Sequence, residues 1–159
     1  MKALFITSAL TAALLTSCSG SNKKADDSSS VVSEAPVENN VDLKGRWTIE
    51  YIVFNDSLTV TPSSEVPGVA QYAVFEDGSF SFNTNCNSIQ GEYQLKGDSI
   101  LIPVSLSTEM ACDNMATEDA IRKILPGIST VSMENDSTVR LVASSPAGYI
   151  LLRRADDNK

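Results

Sequence analysis

From Gly45 onward the chain is cut into short apolar stretches of period two, with turn residues at close intervals. This pattern constrains the fold more than any other feature, because alternation gives each stretch one buried face and leaves little room for long helices. Trp47, Ile49, Tyr51 and Val53 alternate with Thr48, Glu50 and Ile52, which predicts a first strand. Asn55-Asp56-Ser57 is turn chemistry, and residues 62–68 read as a loop. Residues 69–75 predict a second long strand. Asp77-Gly78 is a two-residue hairpin signal, and Phe80 and Phe82 alternate on the strand beyond it. Residues 89–95 predict the next strand, in which Gly91 marks a bulge or a close backbone approach. Lys96-Gly97-Asp98 turns the chain into residues 99–102, which Pro103 stops. Strands at 129–133, 138–143 and 149–153 close the sequence, separated by turns at Asn135-Asp136 and at 144–148.

One helix interrupts, at about residues 114–125. Ala120, Ile121, Ile124 and Leu125 form an apolar stripe at helical spacing. Asp113, Asn114 and Thr117 each suit an N-cap, and Glu118 and Asp119 complement the positive helix end. Pro126-Gly127 ends it. The expected fold is mainly β: an antiparallel meander of short strands forming a small β-barrel or half-barrel, with this one α-helix.

The N-terminus reads as an address. Lys2 precedes an apolar run over residues 3–15, which is shorter than the ~20 residues that span a bilayer. Leu15-Thr16-Ser17-Cys18 follows, and it resembles a bacterial lipobox. Residues 1–17 are expected to be a lipoprotein signal peptide, with Cys18 carrying lipid. At ~0.8 kcal/mol per buried methylene, three acyl chains hold a protein on a membrane in effect permanently. Residues 18–42 hold the lipidated Cys and a tether of small polar and charged residues that cannot bury enough surface to order. The domain follows at 43–155, with a tail at 156–159. Ser19 is not the Asp that retains some lipoproteins in the inner membrane, which points to the outer membrane, facing the periplasm or the cell surface.

Twelve basic and 20 acidic residues give a formal charge of −8. No long basic run is present, so nucleic acid is excluded as a partner. The chain has no His, which removes Ser-His-Asp and Cys-His nucleophile pairs and H-E-x-x-H zinc sites. Glu76, Asp77, Glu92, Asp98, Glu109 and Asp113 all fall at expected turns, strand faces or caps, so no catalytic pair is assigned and no enzyme activity is expected. Asn83-x-Asn85-x-Asn87 has the spacing of a calcium loop without its carboxylates, and turn or edge chemistry fits better. No metal or cofactor is expected. Asp56-Ser57-Leu58, Asp98-Ser99-Ile100 and Asp136-Ser137-Thr138 are similar to a bacterial O-glycosylation sequence, and they also suit turns that enter strands.

With Cys18 taken by lipid, Cys86 and Cys112 remain as a pair in an exported chain. A disulfide would close a loop of about 27 residues and contribute ~3.5 kcal/mol through loop-closure entropy. Two free buried thiols or a redox pair are the alternatives, the latter lacking C-x-x-C spacing.

Together these pieces resemble the META domain family of HslJ-like bacterial lipoproteins. The matching residues are Gly45-x-Trp47, Phe75-Glu76-Asp77-Gly78, Cys86-Asn87-Ser88-Ile89-Gln90-Gly91-x-Tyr93, Ser107-Thr108-x-Met110-Ala111-Cys112 and the closing strand 149–153. Trp47, Asn87, Gly91, Tyr93, Thr108 and Met110 are thus family-motif positions. Asn85 stands where the family usually has Gly, and Asn best tolerates the left-handed conformation after Gly. The resemblance covers roughly residues 43–154. It implies a small β-barrel-like fold on envelope lipoproteins, some members being linked to stress or drug tolerance, and it implies no catalytic residues. The expected function is a non-enzymatic envelope lipoprotein that binds a partner or supports stress tolerance. The alternative is a carrier of a small apolar ligand within a lipocalin-like barrel. The expected partners are the membrane, through lipid on Cys18, and an envelope protein or glycan, the chain itself being a monomer. Asn85 and Asn87 are the candidates for an exposed recognition edge.

Overall fold

The structure is a computed structural model and describes residues 41–55 and 57–155. The expected signal peptide, Cys18, nearly all of the tether, the tail and Asp56 lie outside the described residues. No helix among those described is long and apolar enough to cross a membrane.

The strands are β1 (Gly45–Phe54), β2 (Leu58–Val60), β3 (Tyr72–Phe75), β4 (Ser79–Asn83), β5 (Ser88–Glu92), β6 (Gln94–Lys96), β7 (Ser99–Leu101), β8 (Ser105–Ser107), β9 (Ile128–Asn135), β10 (Thr138–Ser144) and β11 (Ala147–Arg154). Two helices join them, α1 (Pro62–Glu65) and α2 (Ala116–Ile124), and a 3-10 turn, Leu125–Gly127, follows α2. The strands form one antiparallel sheet in the order β6-β7-β9-β10-β11-β1-β3-β4-β5-β8, with β2 beside β1. The sheet curls into a half-barrel. β5 lies near one end and β6 forms the other, yet only Tyr93 separates them along the chain.

Trp47, Phe75, Phe82, Ile52, Ile89, Leu141, Ile150 and Leu152 are buried inside the curl. Burial stabilises by roughly 1.5–3 kcal/mol for each such large side chain. Phe75, Phe80, Phe82 and Tyr93 pack mostly edge to face, with Phe75 and Tyr93 5.6 Å apart. Helix α2 adds Ala120, Ile121 and Ile124 to the same core.

Several expected elements change in detail. The ladder between β1 and β11 slips between Ile49 and Tyr51. A bulge reverses the phase of alternation, so Trp47 and Ile49 face the core before it, and Ile52 and Phe54 after it. Tyr51 instead meets Tyr149 edge-on at 6.1 Å. The second strand shrinks to β3, because Gln71 turns its side chain inward. That side chain donates to the Pro62 carbonyl and accepts from the Asn85 N–H. Pro62 at its first turn starts α1 where a loop was expected. The stretch 89–95 divides at Tyr93, and β8, beyond Pro103, was not expected at all. Helix α2 begins later than residue 114, with Met115 at the cap position; the Asn114 side chain accepts from the Ala116 N–H at 3.0 Å. Thr117 is buried and does not cap.

Candidate functional site

Cys86 and Cys112 form a disulfide with an S–S distance of 2.09 Å. It ties the β4–β5 connection to the segment that leads into α2. Asn87, the next residue, makes a second fastening at the same place. It is 4% exposed, so it is a buried hub and not the recognition edge expected of it. Its Oδ1 accepts from the Thr108 hydroxyl at 2.7 Å and the Met110 N–H at 2.8 Å. Its Nδ2 donates to the Met110 carbonyl at 2.9 Å and to Glu118 Oε2 at 2.8 Å. The loop that presents it is held by Thr84, whose Oγ1 accepts from the N–H groups of Cys86 and Asn87.

Glu118 is the residue that sequence reasoning missed. It was assigned to the helix dipole, yet its side chain is fully buried. Arg122, one turn on, pairs its Nε with Glu118 Oε1 at 3.1 Å, out of line for a hydrogen bond. The available signal was the Glu118–Arg122 spacing of four on a face shared with Thr117 and Ile121. Arg122 is 40% exposed, so its attraction is screened by solvent and Asn87 is the buried partner of this carboxylate.

The other motif residues have equally local reasons. Trp47 is fully buried, donates from Nε1 to the Leu43 carbonyl at 2.7 Å, and carries the Arg154 guanidinium over its ring at 4.3 Å. The Tyr93 hydroxyl donates to the Glu76 carbonyl at 3.0 Å, and burial pushes its pKa up. Thr108 uses its hydroxyl twice, donating to Asn87 and accepting from the Ser88 N–H. Met110 contributes its backbone while its side chain is 60% exposed. Gly91 is a close approach: a Cβ there would lie 2.5 Å from the Val104 carbonyl oxygen and 2.9 Å from the Phe80 ring. Asn85 does not need a left-handed backbone. The non-glycine with positive φ among the described residues is Asn55, at 47°. Asn85 donates to the Asn114 carbonyl at 2.8 Å, and Asn114 donates to the Glu65 carbonyl at 3.0 Å, which links α1 to the start of α2.

The six acids considered for catalysis are all exposed. Asp77 pairs with Lys44, and Glu109 lies 3.9 Å from Arg122. Glu76 and Glu92 line a surface groove of about 580 Å³. Among the described residues no group of three or more His, Cys, Asp or Glu could hold a metal ion. The groove runs over the outer face of β3–β4–β5, where Val74, Ser81, Gln90 and Leu106 stand in one row across four strands. Val104 and Leu106 form its wall, 65% and 75% exposed. Glu76 and Glu92 flank Ser79 at the hairpin end: Glu92 is opposite it in the ladder, and the Glu76 N–H donates to its carbonyl. Neither carboxylate has an ion-pair partner among the described residues.

The META domain family model matches residues 41–157. No curated protein matches the chain at a significant level. Two solved structures share its fold. An NMR structure of a protein from Burkholderia xenovorans has a TM-score of 0.57 at 20% identity, over 69% of this chain and 81% of the other. A crystal structure of a DUF4847 family protein from Bacteroides vulgatus has a TM-score of 0.50 at 13% identity, over 72% of this chain and 95% of the other.

Proposed function

As this chain belongs to the META domain family, we propose that it is a non-enzymatic, lipid-anchored module of the bacterial cell envelope that binds a partner there. The observation that carries this reading is Leu15-Thr16-Ser17-Cys18 at the end of a short apolar run, followed by a polar tether and a disulfide-closed domain. Lipid on Cys18 places the domain on the outer membrane, and residues 18–42 hold it off the surface. The family-motif residues support the same reading, since their side chains or backbones are spent on fastening the fold: Asn87 on Thr108, Met110 and Glu118, and Tyr93 on Glu76. Binding then falls to the exposed surface, and stress tolerance to the partner engaged.

The carrier alternative needs an internal cavity where Trp47, Phe75 and Phe82 stand, each at most 1% exposed. A barrel of this size can be filled by its own side chains.

The test is fractionation of cells that carry wild-type or Cys18→Ser protein. The wild type is expected in the outer-membrane fraction, and Cys18→Ser in soluble extract with an unchanged melting temperature. Membrane association that survives the substitution, or soluble wild-type protein, would overturn the anchoring.

A further inference from the structure

We propose that the groove over β3–β4–β5 docks an extended segment of a partner protein, with apolar side chains against Val104 and Leu106 and a Lys or Arg between Glu76 and Glu92. The inference rests on the binding role proposed above and names its surface and chemistry.

Three observations converge on it. First, Val104 and Leu106 are large apolar side chains, more than half exposed, on a wall that the fold places deliberately. Gly91 lets the Val104 carbonyl come in where any side chain would be in its way, and this brings the wall against the sheet. Second, beside Val74 and Gly91 the floor carries polar side chains. Ser79, Ser81 and Gln90 leave room for a chain and present hydroxyl and amide groups to its peptide units. Third, charge is complementary in one direction only. Glu76 and Glu92 stand together at the groove's end, flanking Ser79, and no Lys or Arg faces either among the described residues. A cation on an apolar segment satisfies both features at once. An acidic or purely polar glycan satisfies neither.

The test uses the purified full chain and two labelled synthetic peptides, acetyl-Leu-Ser-Leu-Ser-Leu-Arg-amide and the same peptide ending in Glu, with binding read by fluorescence anisotropy at low salt. The Arg peptide is expected to bind and the Glu peptide to bind weakly or not at all. Leu106→Ser should weaken the Arg peptide by about tenfold, the scale of one exposed-to-buried leucine. Glu92→Gln should weaken it by about two- to fivefold, and that loss should vanish at high salt. Both side chains are on the surface, so equal melting temperatures serve as the control for folding. Absence of binding, or binding indifferent to both substitutions, overturns the proposal. So does equal binding of dodecyltrimethylammonium at the same site, which assigns the groove to a small cationic amphiphile, or concentration-dependent self-association lost in Leu106→Ser, which assigns it to a second copy. Cross-linking of the full chain in intact envelopes separates the two readings. An envelope protein captured equally by wild type and Leu106→Ser overturns the groove and leaves the envelope role standing.

Discussion

Replacing Asn87 with alanine removes, besides a long contact from Nδ2 to Cys86 Sγ at 3.5 Å, four hydrogen bonds to nitrogen and oxygen from one buried point. Two run to the backbone of Met110, one comes from the Thr108 hydroxyl, and one goes to the Glu118 carboxylate. Each is worth ~1 kcal/mol net, and the Glu118 carboxylate left behind is fully buried. Glu118 would retain Arg122 alone, whose side chain is 40% exposed. The expected loss is about 3–5 kcal/mol, a large share of the ~5–15 kcal/mol typical of a domain. Trp47 is the one Trp in the chain and is fully buried, so its fluorescence reports urea unfolding without a label. At a typical slope the midpoint should fall by about 2 M. Thr108→Val should cost ~1–2 kcal/mol. Asn87→Asp keeps the acceptors but sets a second carboxylate against Glu118. Like charges in contact repel, so Asn87→Asp should cost at least as much as Asn87→Ala at neutral pH. An alanine variant within about 0.5 kcal/mol of wild type would refute the reasoning. So would an Asp variant as stable as wild type.

Cys86→Ser or Cys112→Ser should destabilise the oxidised protein by about 2–5 kcal/mol; melting temperatures equal to wild type would contradict this. Gly91→Ala pushes a methyl group into the Val104 carbonyl and the Phe80 ring, and should cost about 1–3 kcal/mol by thermal melting. An unshifted melt would mean that β8 can move away freely. Burial raises the Tyr93 pKa, so the stability tied to its neutral form is complete below the unfolded value of ~10 and is lost as pH rises through the higher folded value. Wild type should thus lose stability more steeply than Tyr93→Phe above about pH 10 in urea titrations; parallel curves would exclude Tyr93 as the cause.

The sequence made the strand-and-turn character, the single long helix and the Cys86–Cys112 pair legible, because period-two alternation, Asp77-Gly78 and Pro126-Gly127 are local signals. What escaped it was non-local. The bulge after Ile49 reverses which side chains of β1 face inward, and nothing in an alternating Trp-Thr-Ile-Glu-Tyr-Ile-Val run marks where the partner strand slips. β8 is three residues, Ser-Leu-Ser, too short for a period to show; it exists because β5 offers an edge and Gly91 admits its backbone. Glu118 looked like an ordinary first-turn acid, and only the arrival of Asn87 from 31 residues away makes its burial tolerable. The Asn-rich stretch invited an exposed role for the same reason: its partners at Thr108 and Met110 are distant in sequence.

The link at Tyr93 bears on the groove as well. β4 and β5 share a five-residue ladder, whereas β7 meets β9 at a single register position, Ser99 opposite Thr130, and β8 rests on β5 over three. Segments with few cross-links open before the whole molecule does. The floor of the groove is therefore a stiff bank, built into the main sheet, and the Val104–Leu106 wall is a compliant one, hinged between Pro103 and the Asn87 hub. A partner whose apolar residues differ in size by a methylene or two would meet a wall that can give, while the Glu76 and Glu92 carboxylates keep their place. Tolerance in side-chain size and strictness in charge are what such a pairing of banks selects for.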